Sequence, residues 1–421
     1  MPVTPFQLPD DLRERLTERF IRYAQIDTQS DPASETYPST ARQLRLLNLL
    51  VEELLALGLA DVEIDEHGYV TATIAATTRR SDIPPIGFIA HADTSPEVSG
   101  AHVSPRVIDY AGGGITVNTE LGLTVDADRL EAYRGDRLIF SDGTTLLGAD
   151  DKAGIAEIVT AAEYLVLNPQ IEHGTIRLAF TPDEEVGRGT EYFDVGAFGA
   201  RYAYTVDGGA EGSLEYETFN AAEARIVATG INTHPGAAKD LMVNSQLVMM
   251  ELLGELPADE RPETTSGREG FFHLIRLCGN VEQTEAELIV RDHDRCGFIR
   301  RKHMLTDLVD AVNRRYGRPL VNAVIRDQYY NMGEQIAPHG EVVEIAREAM
   351  RLAGVEPRTE PVRGGTDGSR LSFLGLPCPN LFAGGENIHS RTEFVSERVM
   401  TRATEVIVNI CRLFCDKPLE K

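Results

Sequence analysis

The chain has 421 residues, 42% hydrophobic and 25% charged, which suits an ordinary globular protein of two or three domains with a large core. Its 66 acidic and 41 basic side chains give a formal charge of −25, a field that disfavours nucleic acid and anionic membranes as partners. No run approaches the roughly 18 apolar residues of a membrane span. The start, Met1-Pro2-Val3-Thr4-Pro5, lacks the basic and apolar regions of a secretory signal. The five cysteines, Cys278, Cys296, Cys378, Cys411 and Cys415, are odd in number and scattered, so reduced thiols and a cytoplasmic location are expected.

Leu12, Leu16, Phe20 and Tyr23 mark an amphipathic first helix. Ser39 can cap a second, with Leu47, Leu50, Val51, Leu54 and Leu55 on one face and Gly58 closing it. Residues 69–75 and 86–90 read as strands, and 97–145, rich in Gly and Pro, carries no clear period. A helix over 152–167 starts at the Asp150-Asp151 pair, and strands follow over 176–181 and 203–206. Helices and strands mixed in this way predict a layered α/β domain. From about residue 219 the order becomes strand 224–229, helix 243–253, strands 271–278 and 287–291, helix 298–316 and strand 320–326. That β-α-β-β-α-β order predicts a ferredoxin-like α+β unit inserted into the first domain. The expected division is 1–218 and 329–421 for the α/β domain and 219–328 for the insert. The final part resumes α/β character, with a helix over 342–352, the Gly-rich 363–368 loop, a strand over 379–382 and a last helix over 397–414.

Chemistry-bearing residues recur just past the short apolar runs. These are His91 and Asp93, the Asp150-Asp151 pair, Glu184-Glu185, and Asp207, with His389 in a later loop. Acids and histidines at strand ends can point into the crevice beyond an open α/β sheet. Several converging carboxylates repel one another unless a cation neutralises them. Singly, each has a plainer reading: H-x-D is a common turn, Asp150 can be a first-turn helix acid, and Glu184-Glu185 an acidic surface turn. Together they suit a site in which Asp93 orients His91, one acid is shared by two cations, and one of two adjacent glutamates stays unligated as a base. His and carboxylate donors without thiolate suit zinc, cobalt or manganese. Arg291, Arg363 and the Gly364–Gly368 loop can bind a carboxylate, although Arg291 could equally pair with Asp292 or Asp294. His234, in Thr233-His234-Pro235-Gly236, can be a turn residue or a functional one.

At these residues the chain resembles the two-zinc exopeptidases and deacylases that include carboxypeptidase G and aminoacylase, and among them the peptidase T family of tripeptide aminopeptidases. The stretches that carry the resemblance are AHADTSP at 90–96, LLGADDKAGIAEI at 146–158, AFTPDEEVG at 179–187, YTVDGG at 204–209, NTHPG at 232–236 and RGGTDG at 363–368. ADDKAGIAE with TPDEEVG is the specific part. The resemblance implies that His91 and Asp207 hold one zinc, Glu185 and His389 the other, and that Asp150 bridges them. It implies a cis Asp150-Asp151 peptide and Glu184 as general base. His234 would assist the scissile carbonyl, and Arg291 and Arg363 would hold the substrate's carboxylate. Ile388-His389-Ser390 and Glu386 depart from the family pattern. The implied activity is removal of the N-terminal residue from tripeptides, with water activated by two zinc ions per subunit. The small peptide would be the partner, the inserted domain would act as a lid, and two subunits would pair through it. A dipeptidase or N-acyl amino acid deacylase would use the same metals, and the discriminator is whether the substrate needs a free α-amino group. A non-catalytic metal-binding protein would have no use for an unligated Glu184.

Overall fold

The computed structural model describes residues 4–359 and 361–416. The chain divides into two units: Met1–Tyr216 with Glu334–Thr359 and Thr366–Lys421, and Glu217–Gly333 with Glu360–Gly365.

In the first unit a seven-stranded sheet runs in the order Ala60–Ile64, Val70–Ile74, Ile176–Thr181, Ile86–His91, Tyr202–Val206, Asn380–Leu381, Leu214–Glu215. The four strands from Ile176–Thr181 to Asn380–Leu381 are mutually parallel, and the outer ones are antiparallel. His91 lies opposite Thr181, so the parallel strands end along one edge. Every residue of Ile86–His91 is buried, because helices cover both faces. On one face Phe88 stacks on Tyr204, which meets Phe414 of the last helix, Glu397–Asp416. On the other, Ile89, Ala179 and Ala203 pack with Phe193, Phe198 and Leu371. The result is the expected α/β/α layering.

The first helix, Asp10–Ala24, buries Leu12, Leu16, Phe20 and Tyr23 as its period predicts. The second differs from expectation. It spans Gln43–Ala56, and Ser39 does not cap it. The Ser39 N–H, at 2.6 Å, and its hydroxyl both donate to the buried Asp183, a stronger demand than a helix end makes. Leu55, expected on the buried face, is 57% exposed, whereas Leu47, Leu50 and Leu54 are buried as expected. The stretch without a clear period forms a ribbon of Ile115–Asn118 with Leu123–Val125. It also supplies Arg106–Asp109 and Arg137–Phe140 to a four-stranded sheet completed by Gly385–Glu386 and Phe394–Ser396. Strands of two to four residues are too short to show a clear period, and those of the sheet find partners far along the chain.

In the second unit, Asn220–Thr229, Phe271–Gly279, Gln283–Asp292 and Val321–Tyr329 form an antiparallel sheet with Asn220–Thr229 and Gln283–Asp292 in the middle. Helices Ser245–Gly254 and Arg295–Tyr316 pack on it, burying Ile226, Met249, Leu252, Leu288, Phe298 and Leu305. This is the ferredoxin-like order. Among the described residues, no helix is long and apolar enough to cross a membrane.

Candidate metal centre

The parallel strand ends build the site. His91 closes Ile86–His91, Asp207 follows Tyr202–Val206, and Glu184 and Glu185 follow Ile176–Thr181 by way of Pro182 and Asp183. Helix Ala149–Leu167 enters beside them, with non-helical backbone at Asp150 and Asp151. It comes close because residue 154 is glycine: a Cβ there would lie 2.0 Å from the Val206 carbonyl oxygen. His389 comes from the loop between Gly385–Glu386 and Phe394–Ser396.

Asp150 faces both imidazoles. Its Oδ1 lies 3.0 Å from His91 Nε2, and its Oδ2 lies 3.3 Å from His389 Nε2. Asp207 Oδ1 is 3.7 Å from His91 Nε2, and Glu185 Oε2 is 2.9 Å from His389 Nε2. His91, Asp150 and Glu185 offer ligand atoms all within 4.8 Å of one another, as do His91, Asp151 and Asp207. The Asp150-Asp151 peptide is cis. Two imidazoles and several carboxylates without thiolate fit a pair of divalent cations. Glu185 Oε1 is also buried without a hydrogen-bond partner among the described residues, an atom that a cation would satisfy.

The electrostatics point the same way. Burial opposes a charged His91, yet hydrogen bonds to Asp150, Asp207 and Asp93 hold its pKa well above the usual value. His389 is pushed up to about 11 by Asp150 and Glu185. Burial raises Glu185 to about 8, with Asp150 adding to the effect, and burial also raises Asp207. Asp150 is held far below the ordinary carboxylate range: burial opposes this, but both histidines outweigh it. Asp150, Glu185 and Asp207 thus bring a surplus of negative charge against the two imidazoles, which a cation would neutralise. Burial and the nearby Asp367 hold the Glu184 carboxyl well above its ordinary value.

Several supporting contacts, and the residues Glu97 and Glu393, escaped the sequence reading. Asp93 does more than orient His91. Its backbone carbonyl lies 3.0 Å and its Oδ1 3.4 Å from His91 Nδ1, while its carboxylate accepts the Glu184 and Glu185 N–H groups at 3.0 and 3.2 Å. Glu393 is fully buried and accepts the N–H groups of Leu147, Gly148 and Asp150 at 2.8, 2.7 and 3.1 Å. Glu97 Oε2 stands 3.3 Å from His389 Nδ1, and Asp151 Oδ2 accepts the His91 N–H at 3.1 Å. Glu386, the charged departure, accepts from Tyr133 Oη at 2.6 Å. Glu97 and Glu393 carry no motif of their own, since they act across long stretches of chain.

The remaining expected residues lie in the second unit. His234 is an exposed turn residue whose Nδ1 accepts the Gly236 N–H at 3.1 Å. Arg291 lies over the Tyr329 ring, 5.4 Å from its centre, and burial lowers its pKa. It does not pair with Asp292 or Asp294: Asp292 is engaged by Arg301, and Asp294 caps a helix through Gly297 N–H at 2.6 Å. Arg363 donates to the Gly267 and Glu269 carbonyls and to Thr265 Oγ1. Neither arginine meets a carboxylate within ion-pair distance among the described residues. In the Gly364–Gly368 loop, also expected to help bind a carboxylate, Asp367 is buried.

The sequence profile described as Peptidase family M20/M25/M40 matches residues 146–413. The chain belongs to this peptidase family. "Peptidase T" of Geobacillus kaustophilus is 54% identical over 410 residues, covering 96% of this chain and 100% of that protein. Among solved structures, a tripeptidase from Staphylococcus aureus superposes with a TM-score of 0.78 at 22% identity, covering 96% of this chain and 99% of the other. A dinuclear metal-binding M20 peptidase from Bacillus subtilis superposes with a TM-score of 0.66 at 15% identity, with 96% and 99% coverage. These structural likenesses establish the M20 fold for the chain.

Proposed function

We propose that the protein is a metallo-aminopeptidase that removes the N-terminal residue from tripeptides. The single observation that carries this reading is the convergence of His91, Asp150, Glu185, Asp207 and His389 beside Glu184, on a chain 54% identical to a peptidase T. His91 and Asp207 are assigned to one zinc ion, Glu185 and His389 to the other, and Asp150, which faces both histidines, to both. Cobalt or manganese would suit the same donors. Bound there, the cations supply Lewis-acid polarisation of the scissile carbonyl and acidify water. Asp93 fixes the His91 ring and the backbone that presents Glu184. Glu184 takes the proton of the attacking water and passes it to the leaving amine. Arg291 and Arg363 are assigned to the substrate carboxylate, and His234 to the scissile carbonyl.

Matched di-, tri- and tetrapeptides and N-acylated amino acids, offered to protein supplied with zinc or cobalt, test the reading. Tripeptides with a free amino group should be cleaved best. Equal or better turnover of N-acylated amino acids would replace it with a deacylase.

A further inference from the structure

One buried carboxylate beside the proposed base has no task in the chemistry above. Asp367 opens the helix Asp367–Phe373 but does not cap it; Thr366 does that by accepting from Ser369 N–H. Asp367 is only 5% exposed. Its Oδ2 accepts from Thr181 Oγ1 at 3.2 Å, on the last residue of the strand that leads to Glu184. Among the described residues, its Oδ1 takes no hydrogen bond and no cation comes within ion-pair distance of either oxygen. The Gly189 backbone presses against the carboxylate so closely that a Cβ there would lie 2.4 Å from Oδ2 and 2.5 Å from Oδ1. His91, Arg370 and Asp93 are among the charged groups that act on Asp367, and of the charged groups around Glu184 Asp367 is the first. A buried carboxylate left this short of partners is costly unless a ligand completes it.

The aminopeptidase reading supplies such a ligand. In a peptide whose first carbonyl is attacked, the α-ammonium group is separated from the reacting carbon by a single Cα atom. It must therefore find an anion within a few ångströms of Glu184 and the metal ligands. We propose that Asp367 receives the free α-ammonium group of the substrate's first residue and so restricts the site to unblocked peptides. The proposal rests on that reading of the site. A carboxylate fixed between Thr181 and Gly189 meets the ammonium with little reorganisation, and a blocked N-terminus both loses the pair and leaves the buried acid unpaired.

The test is calorimetric binding to zinc-loaded Glu184→Gln protein, which should hold peptide without turning it over. The probes are Leu-Gly-Gly and its des-amino analogue, 4-methylpentanoyl-Gly-Gly. Loss of the amine should weaken binding roughly 10–150-fold, the worth of one charge-assisted pair. Adding Asp367→Asn should make the two probes bind indistinguishably, whereas a merely structural role would weaken both alike. Gly189→Ala keeps the charge but displaces the carboxylate, and it carries the same expectation should Asp367→Asn fail to fold. Discrimination that survives in either folded variant overturns the assignment of Asp367 and leaves the aminopeptidase reading standing. If Glu184→Gln alone binds both probes equally, and the wild type cleaves blocked and free peptides alike, the aminopeptidase reading itself fails.

Discussion

Replacing Glu393 with glutamine should loosen the metal centre without touching a proposed ligand. The Glu393 carboxylate accepts three backbone N–H groups, from Leu147 at 2.8 Å, Gly148 at 2.7 Å and Asp150 at 3.1 Å. A glutamine in its better orientation keeps its oxygen towards Leu147 and Gly148. Its NH2 group then faces the Asp150 N–H, donor against donor. The lost bond to a charged acceptor is worth about 1.5–3 kcal/mol. Loss of negative charge at the start of helix Ala149–Leu167 adds about 0.3–1 kcal/mol. Because the third N–H belongs to Asp150, the strain reaches the carboxylate that faces both histidines. Groups that brace metal ligands typically change affinity by about 10–100-fold. Zinc titration against a competing chelator, beside thermal melts of metal-free protein, reads both effects. Wild-type zinc affinity with an unchanged melt would refute the bracing role.

Asp150→Ala should lower occupancy of both metal positions, since a shared ligand serves two cations; two ions bound with unchanged affinity would show that Asp150 is not shared. Burial alone holds the Glu157 carboxyl well above its ordinary value of 4.5, and neither of its oxygens has a hydrogen-bond partner among the described residues. The folded protein therefore keeps a proton that the unfolded chain releases, so stability falls as pH rises from 4.5 through the raised folded value. Glu157→Gln removes that titration and should flatten the fall, and a wild-type slope in the variant's stability–pH curve would contradict this. Amidating the C-terminus of a good tripeptide should cut kcat/KM by roughly 10–150-fold, the worth of one charge-assisted pair. Arg291→Ala or Arg363→Ala should shrink that penalty if the arginine is the partner, and an amide cleaved as well as the acid would dismiss carboxylate recognition.

Much of the fold was legible because its signals are local. The helix period at Leu12, Leu16, Phe20 and Tyr23, and the apolar runs that end in His91, Thr181 and Val206, state their structure within a few residues. The β-α-β-β-α-β order of the insert was equally plain. Ser39 misled because its natural role as a cap lost to Asp183, which lies 144 residues away. The site shows the same division. Its proposed ligands sit on strand ends and in motifs, whereas Glu393 reaches Leu147 across 246 residues and Asp367 meets Thr181 from 186 residues away. Contacts made across a fold leave no spacing to read.

In the proposed function Glu184 acts as a base beside two ions that it does not bind. Glu184→Gln measures this directly, with metal analysis and tripeptide kinetics on the same preparation. Two retained metal equivalents and a loss of activity of at least about 10²–10⁴-fold, the usual worth of general base catalysis, are expected. Near-normal turnover, or loss of a full metal equivalent, would contradict this role.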